Sequence, residues 1–206
     1  MNFVFSLLLS GSILGLTLGV SPSPLLTLAV TQTLTRGFKE GCKVVSVPVI
    51  TDLPLLLATI FLYSRIPNLS TFLGIVSLLG GAFIAYLGYK YIVIKAVILE
   101  NKASLSNSFK QGILTNLLNP NPYIFWFTVG GTTVTNALNE NPLAALAFLL
   151  SFFGILIFSR FVIVFAVSKS AQFIKGQAYL IIIKLLGFIM LIFAFRFIMN
   201  GLKCFI

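Results

Sequence analysis

Gly19-Val20-Ser21-Pro22-Ser23-Pro24-Leu25-Leu26 sets two prolines two residues apart inside an otherwise apolar run. Each proline lacks a backbone N–H and disturbs the helical ladder, so a pair at this spacing interrupts a full turn. In hydrocarbon, the freed carbonyls and half-helix ends must be buried in protein or line a wet cavity. A second such unit, Asn119-Pro120-Asn121-Pro122, stands in the other half of the chain, with Pro22 and Pro120 98 residues apart. The chain divides into halves of about that length, each with three apolar runs. An odd number of spans per half inverts the second copy in the membrane. Interrupted spans at matching positions of two halves are the best sequence pointer to a transporter binding site. Structural kinks are the bland alternative, because proline is common in membrane helices. The repeat spacing and the flanking Ser and Asn residues favour a functional break.

The rest of the composition fits lipid as the solvent. Of the 206 residues 58% are hydrophobic and only 9% charged, with a mean hydropathy of +1.07. A soluble domain carries roughly 25% charged residues to cover its surface. A span takes about 20 apolar residues, so about six spans leave room only for short loops. The expected fold is all-α and polytopic, with about six transmembrane helices as two inverted three-helix repeats (about 1–100 and about 104–206). One membrane transport domain then covers 1–206. The spans are expected near 3–30, 43–64, 70–94, 111–135, 143–168 and 178–200. The first run lacks a basic leader, so it reads as helix 1 and not as a signal peptide.

Charge sets the orientation. Arg36, Lys39, Lys43, Lys90, Lys95, Lys102, Lys110, Lys169 and Lys175 flank the loops on one side, against Arg65 and Lys203 on the other. The positive-inside rule puts the first group in the cytoplasm and both termini outside, in a multi-pass protein of the inner or plasma membrane. The formal net charge of +10 then reflects topology and contact with anionic lipids. With no polar domain to hold it, nucleic acid is not an expected partner.

Asp52 lies two residues before Pro54 and four after Pro48. Counted from the inner end of its span, it sits near mid-membrane, where a carboxylate is a functional candidate by default. It can bind a substrate ammonium, or carry a proton if burial raises its pKa. A structural ion pair is the alternative, with Arg160 of the fifth span as partner. Arg160 is weighed evenly between the two roles. Lys184 and Arg196 read as snorkelling residues, and Trp126 as packing. Ser77, Gly81 and Ala85, spaced four apart, suit close helix approach, either within the bundle or in a homodimer. There is no histidine, and Cys42 and Cys204 fall on opposite sides of the membrane, so no metal site, cofactor or disulfide is expected.

The order of these motifs resembles the LysE/RhtB family of amino-acid exporters. Members typically carry Pro-Gly-Pro in helix 1 and then a Gly-rich basic loop, as in Pro22-Ser23-Pro24 and Arg36-Gly37-Phe38-Lys39-Glu40-Gly41. Their second helix often has an acid, matched by Asp52. Their third often ends like Gly81-Ala82-Phe83-Ile84-Ala85-Tyr86-Leu87-Gly88-Tyr89-Lys90, and their fourth reads Gly-x-x-x-Asn-x-x-Asn-Pro, as in Gly112 to Pro120 with Asn116 and Asn119. Ser23 in place of glycine, Thr51 before the acid, the added Pro48 and Pro54, and Asn121-Pro122 depart from that pattern. The resemblance implies a secondary exporter of an amino acid or similar small metabolite, driven by the proton gradient and not an enzyme. Ser21, Pro22, Ser23, Pro24, Asp52, Asn116, Asn119, Pro120, Asn121, Pro122 and Arg160 are the expected substrate-binding or coupling residues. An ion or metal exporter of the wider superfamily is the alternative, and a membrane redox protein a more distant one.

Overall fold

A computed structural model describes residues 2–62, 69–93, 107–170 and 177–204. Every regular element among them is a helix: α1 (Asn2–Val20), α2 (Pro24–Arg36), α3 (Phe38–Val45), α4 (Val47–Leu62), α5 (Leu69–Ile92), α6 (Ser108–Leu117), α7 (Pro120–Phe125), a π-helical turn (Trp126–Gly130), α8 (Gly131–Glu140), α9 (Pro142–Ser170) and α10 (Gln177–Lys203). Among the described residues five segments are long and apolar enough to cross a bilayer: Phe3–Val20, Phe38–Ile60, Thr71–Ile92, Pro142–Ser170 and Leu180–Lys203. The loop residues Arg65, Lys95, Lys102 and Lys175, used above for orientation, lie outside the described residues.

Two expected spans are interrupted at the proline pairs, and the 43–64 span crosses the boundary between α3 and α4 at Ser46. The 3–30 span ends at Val20 and restarts at Pro24. The 111–135 span is built from α6, α7, the π turn and α8, none longer than 10 residues. Proline causes both interruptions. In α1 the last helical bond runs from the Ser21 N–H to Thr17 O at 3.1 Å, and the next donor would be Pro22, which has none. In α6 the Leu118 N–H reaches Leu114 O at 2.9 Å, and Pro120 cannot supply the bond to Asn116 O. By contrast α4 carries Pro48 as its second residue, where the missing N–H costs nothing. It holds Pro54 within its length without breaking.

Contacts sort the chain into two compact units, one of Met1–Ser21, Pro48–Pro67 and Asn121–Val162, the other of Pro22–Val47, Asn68–Prо120 and Ile163–Ile206. The chain passes between them at Ser21/Pro22, Val47/Pro48 and Pro120/Asn121, among other points, so this division cuts across the two sequence halves.

In the first unit α1 lies directly on α9. Gly11, Gly15 and Gly19 form a stripe at four-residue spacing. A Cβ on Gly15 would fall 2.4 Å from Phe152 O, and one on Gly11 2.5 Å from Phe148 O. Small residues allow such backbone approach in a bilayer, where lipid is as apolar as any side chain. The hydroxyls of α1 are satisfied within the helix. Ser10 Oγ donates to Ser6 O, Ser12 Oγ to Leu8 O and Thr17 Oγ1 to Ile13 O, at 2.8–2.9 Å. Trp126, Phe148, Phe152 and Phe153 fill the core beside Leu56 and Leu156. Trp126 is fully buried, stacked on Phe153 and edge-on to Phe152, and so serves as packing.

In the second unit α5 and α10 pack along their length, with close approaches at Gly88 to Gly187 and Gly74 to Gly201. The Ser77–Gly81–Ala85 stripe is used here: a Cβ on Gly81 would lie 2.6 Å from Ile198 Cγ1 and 3.1 Å from Ala194 O. Its glycine therefore faces α10 of the same chain. The core joins Leu25, Leu28 and Ala29 of α2 to Val44, Ile84, Leu87, Val164 and Met190. Lys184 and Arg196 are exposed on α10.

Candidate functional site

The first unit holds Asp52, Arg160, Ser21, Asn121 and Pro122 of the expected site. Asp52 is only 6% exposed on α4, and Thr51 Oγ1 donates to its Oδ1 at 3.1 Å. Its charge reaches both Arg160 and Tyr123 electrostatically. Arg160, on α9, is 7% exposed. Its Nη2 donates to Leu18 O at 3.3 Å, while its Nε is buried and has no hydrogen-bond partner among the described residues. The Leu18 contact follows from the sequence. Leu18 O is the carbonyl that a helical residue 22 would have bonded, and Pro22 has no N–H to offer. The guanidinium of another helix takes that place. The Gly11–Gly15–Gly19 stripe makes this reach possible by setting α9 against the end of α1, with Ser159 beside Gly19.

Thus Arg160 does more than face an acid. It ties the first helix break to the surroundings of Asp52, with a donor still uncommitted. Ser21 closes the end of α1, its Oγ donating to Thr17 O at 2.6 Å. Tyr123 was not singled out from the sequence. Its position one residue after Pro122 was the only signal.

The second unit holds Pro22, Ser23, Pro24, Asn116, Asn119 and Pro120. Ser23 is the N-cap of α2, in extended backbone with φ −149°, and its Oγ accepts from the Leu26 N–H at 3.2 Å. Pro24 occupies the first helical position, where a proline is pre-organised. So Ser23 acts as a cap. Asn116 and Asn119 are buried at the second break, and the Asn119 N–H closes onto Asn116 O at 3.1 Å. That bond replaces the one Pro120 cannot make.

A further polar cluster in this unit escaped the sequence reading. Gln32 is 1% exposed. Its Nε2 donates to Tyr91 Oη at 3.0 Å and to Gln111 Oε1 at 2.6 Å, and its Oε1 accepts from Ser108 Oγ at 3.1 Å. The amide joins α2 and α5 of the first sequence half to α6 of the second. Among the described residues no group of three or more His, Cys, Asp or Glu side chains converges as a metal site.

The family model for LysE type translocators matches residues 16–201, nearly the whole chain, including both helix breaks, Asp52 and Arg160. The chain belongs to the LysE type translocator family. It is a multi-pass membrane transporter, and its partners at that level are membrane lipids and a small-molecule substrate. No curated protein and no solved structure gives a significant match. For this translocator the substrate must therefore be argued from its own residues.

Proposed function

We propose that this translocator is a secondary exporter of an amino acid or a similar small metabolite, coupled to the proton gradient and placed in the inner or plasma membrane with both termini outside. The observation that carries the reading is the joint burial of Asp52 and Arg160 in one unit of a transporter-family chain. An acid and a base desolvated together in a membrane protein mark a substrate or proton path. Asp52 offers a carboxylate to an ammonium or a proton. Arg160 offers its buried Nε to a carboxylate, a geometry that a guanidinium fork suits. Ser21, Pro22, Ser23, Pro24, Asn116, Asn119, Pro120, Asn121 and Pro122 shape the two helix breaks on which binding depends. The two inverted three-helix repeats of a single domain, about 1–100 and about 104–206, supply the alternating states.

Cells loaded with a labelled amino-acid mixture and expressing the wild-type chain or Asp52→Asn test this directly. Selective efflux by the wild type, lost in Asp52→Asn at equal membrane abundance, is the expected result. Unchanged proton-coupled efflux in the variant would remove Asp52 from the mechanism. No amino-acid efflux by folded wild type would refute the substrate class.

A further inference from the structure

Each Pro-x-Pro unit denies a backbone donor to two carbonyls, those four residues before its prolines: Leu18 and Val20 at the first break, Asn116 and Leu118 at the second. Leu18 O is met by Arg160, and Asn116 O by the Asn119 N–H. Leu118 O meets something different. It lies in the space a side chain at position 80 would need: a Cβ on Gly80 would be 1.8 Å from Leu118 O and 2.9 Å from Leu118 C. Contacts under 3.0 Å essentially never occur for a real Cβ, and the opposing group is backbone, which cannot swing aside. The neighbouring Gly81 faces α10 instead, against Ile198 and Ala194. Two adjacent glycines on α5 therefore serve different partners.

We infer that Gly80 is a positioning residue for the second helix break, fixing where the Asn116–Asn119 segment sits by admitting the Leu118 carbonyl. Any side chain at position 80 pushes Leu118 O back by about 1.2 Å, on the spacings just given. Asn116 and Asn119 flank that carbonyl in the chain, so their side chains move with it. A hydrogen bond to substrate is lost at smaller displacements than this, because hydrogen bonds weaken steeply outside a narrow range of length and angle. The inference rests on the proposed role of the break in substrate binding. Its steric half, the coupling of Gly80 to the break, stands without that role.

The test compares Gly80→Ala with Gly81→Ala in the efflux assay with the labelled amino-acid mixture. Gly80→Ala should change KM by about threefold to tenfold, the worth of one lost hydrogen bond, at wild-type membrane abundance. Gly81→Ala should lower thermal stability and leave KM unchanged. A folded Gly80→Ala protein with wild-type KM and selectivity overturns the positioning role. A second readout does not depend on transport or on Gly80→Ala accumulating well. Pro120→Ala/Pro122→Ala restores both missing donors, so the helix can close and draw Leu118 O into its ladder. Gly80→Ala should then lower Tm by less than half as much in that background as in the wild type, the mark of coupled neighbours. Equal losses in both backgrounds would overturn the steric half. Absence of efflux by the wild type, with the Tm coupling present, would refute the transport reading and leave the Gly80 contact standing.

Discussion

Replacing Gln32 by leucine keeps the volume of a side chain that is 1% exposed while deleting its three hydrogen bonds. In water-excluded protein, a buried donor or acceptor left without a partner costs about 1–3 kcal/mol. Measured values inside membrane proteins average only about 0.6 kcal/mol per bond, because the unfolded chain in lipid also finds partners. Three bonds at the lower figure give about 2 kcal/mol, and for a chain of this size that is about 4–8 °C in Tm. Tyr91→Phe removes one of the three and should cost about 0.6 kcal/mol, or about 1–2 °C. Thermal unfolding of the purified protein in detergent, followed by tryptophan fluorescence or by loss of the monodisperse peak, measures both. The reasoning predicts an order as well as a size, with Gln32→Leu clearly worse than Tyr91→Phe. A Gln32→Leu protein that melts within 1 °C of wild type, or no lower than Tyr91→Phe, would refute the account of this cluster as a satisfied tie between the two sequence halves.

Two further perturbations test the first unit. Arg160→Leu leaves Leu18 O without its donor and Asp52 without the nearby positive charge, and should destabilise by about 3 kcal/mol or more; Asp52→Asn in the same chain should restore part of that, measured by thermal unfolding. Gly15→Val places branched carbons where Phe152 O already stands 2.4 Å from a Cβ, so α1 must leave α9, and the expected outcome is loss of the protein from the membrane fraction; normal abundance would show that α1 is not held there.

The membrane architecture was legible because hydropathy alone carries it. Spans expected at 143–168 and 178–200 match α9 and α10 to within a few residues. The breaks were legible as proline pairs, since a missing N–H is a property of the residue itself. What the sequence did not show depends on distant partners. Mean apolarity over 111–135 cannot reveal that the run divides into α6, α7, the π turn and α8, because apolarity carries no helix phase. Gln32 lies just past the expected 3–30 span, and its burial depends on Tyr91, Ser108 and Gln111, 59 to 79 residues away. The Gly11–Gly15–Gly19 spacing was readable in principle but lies in a stretch where any apolar helix would do. Gly80 and Gly81 are indistinguishable as letters, and only the placement of Leu118 separates them.

The close seating of α1 on α9 also has a consequence for synthesis. The partners of Gly11, Gly15 and Gly19 lie between Phe148 and Ser159, so about 140 residues separate Gly19 from the far end of the surface it needs. At translation rates of about 5–20 residues per second, roughly 7 to 28 seconds pass between the emergence of the stripe and that of its complement. Throughout that interval the first helix waits in lipid with a groove matched to any small-residue helix that diffuses past. Assembly thus includes the docking of an early segment onto one made much later.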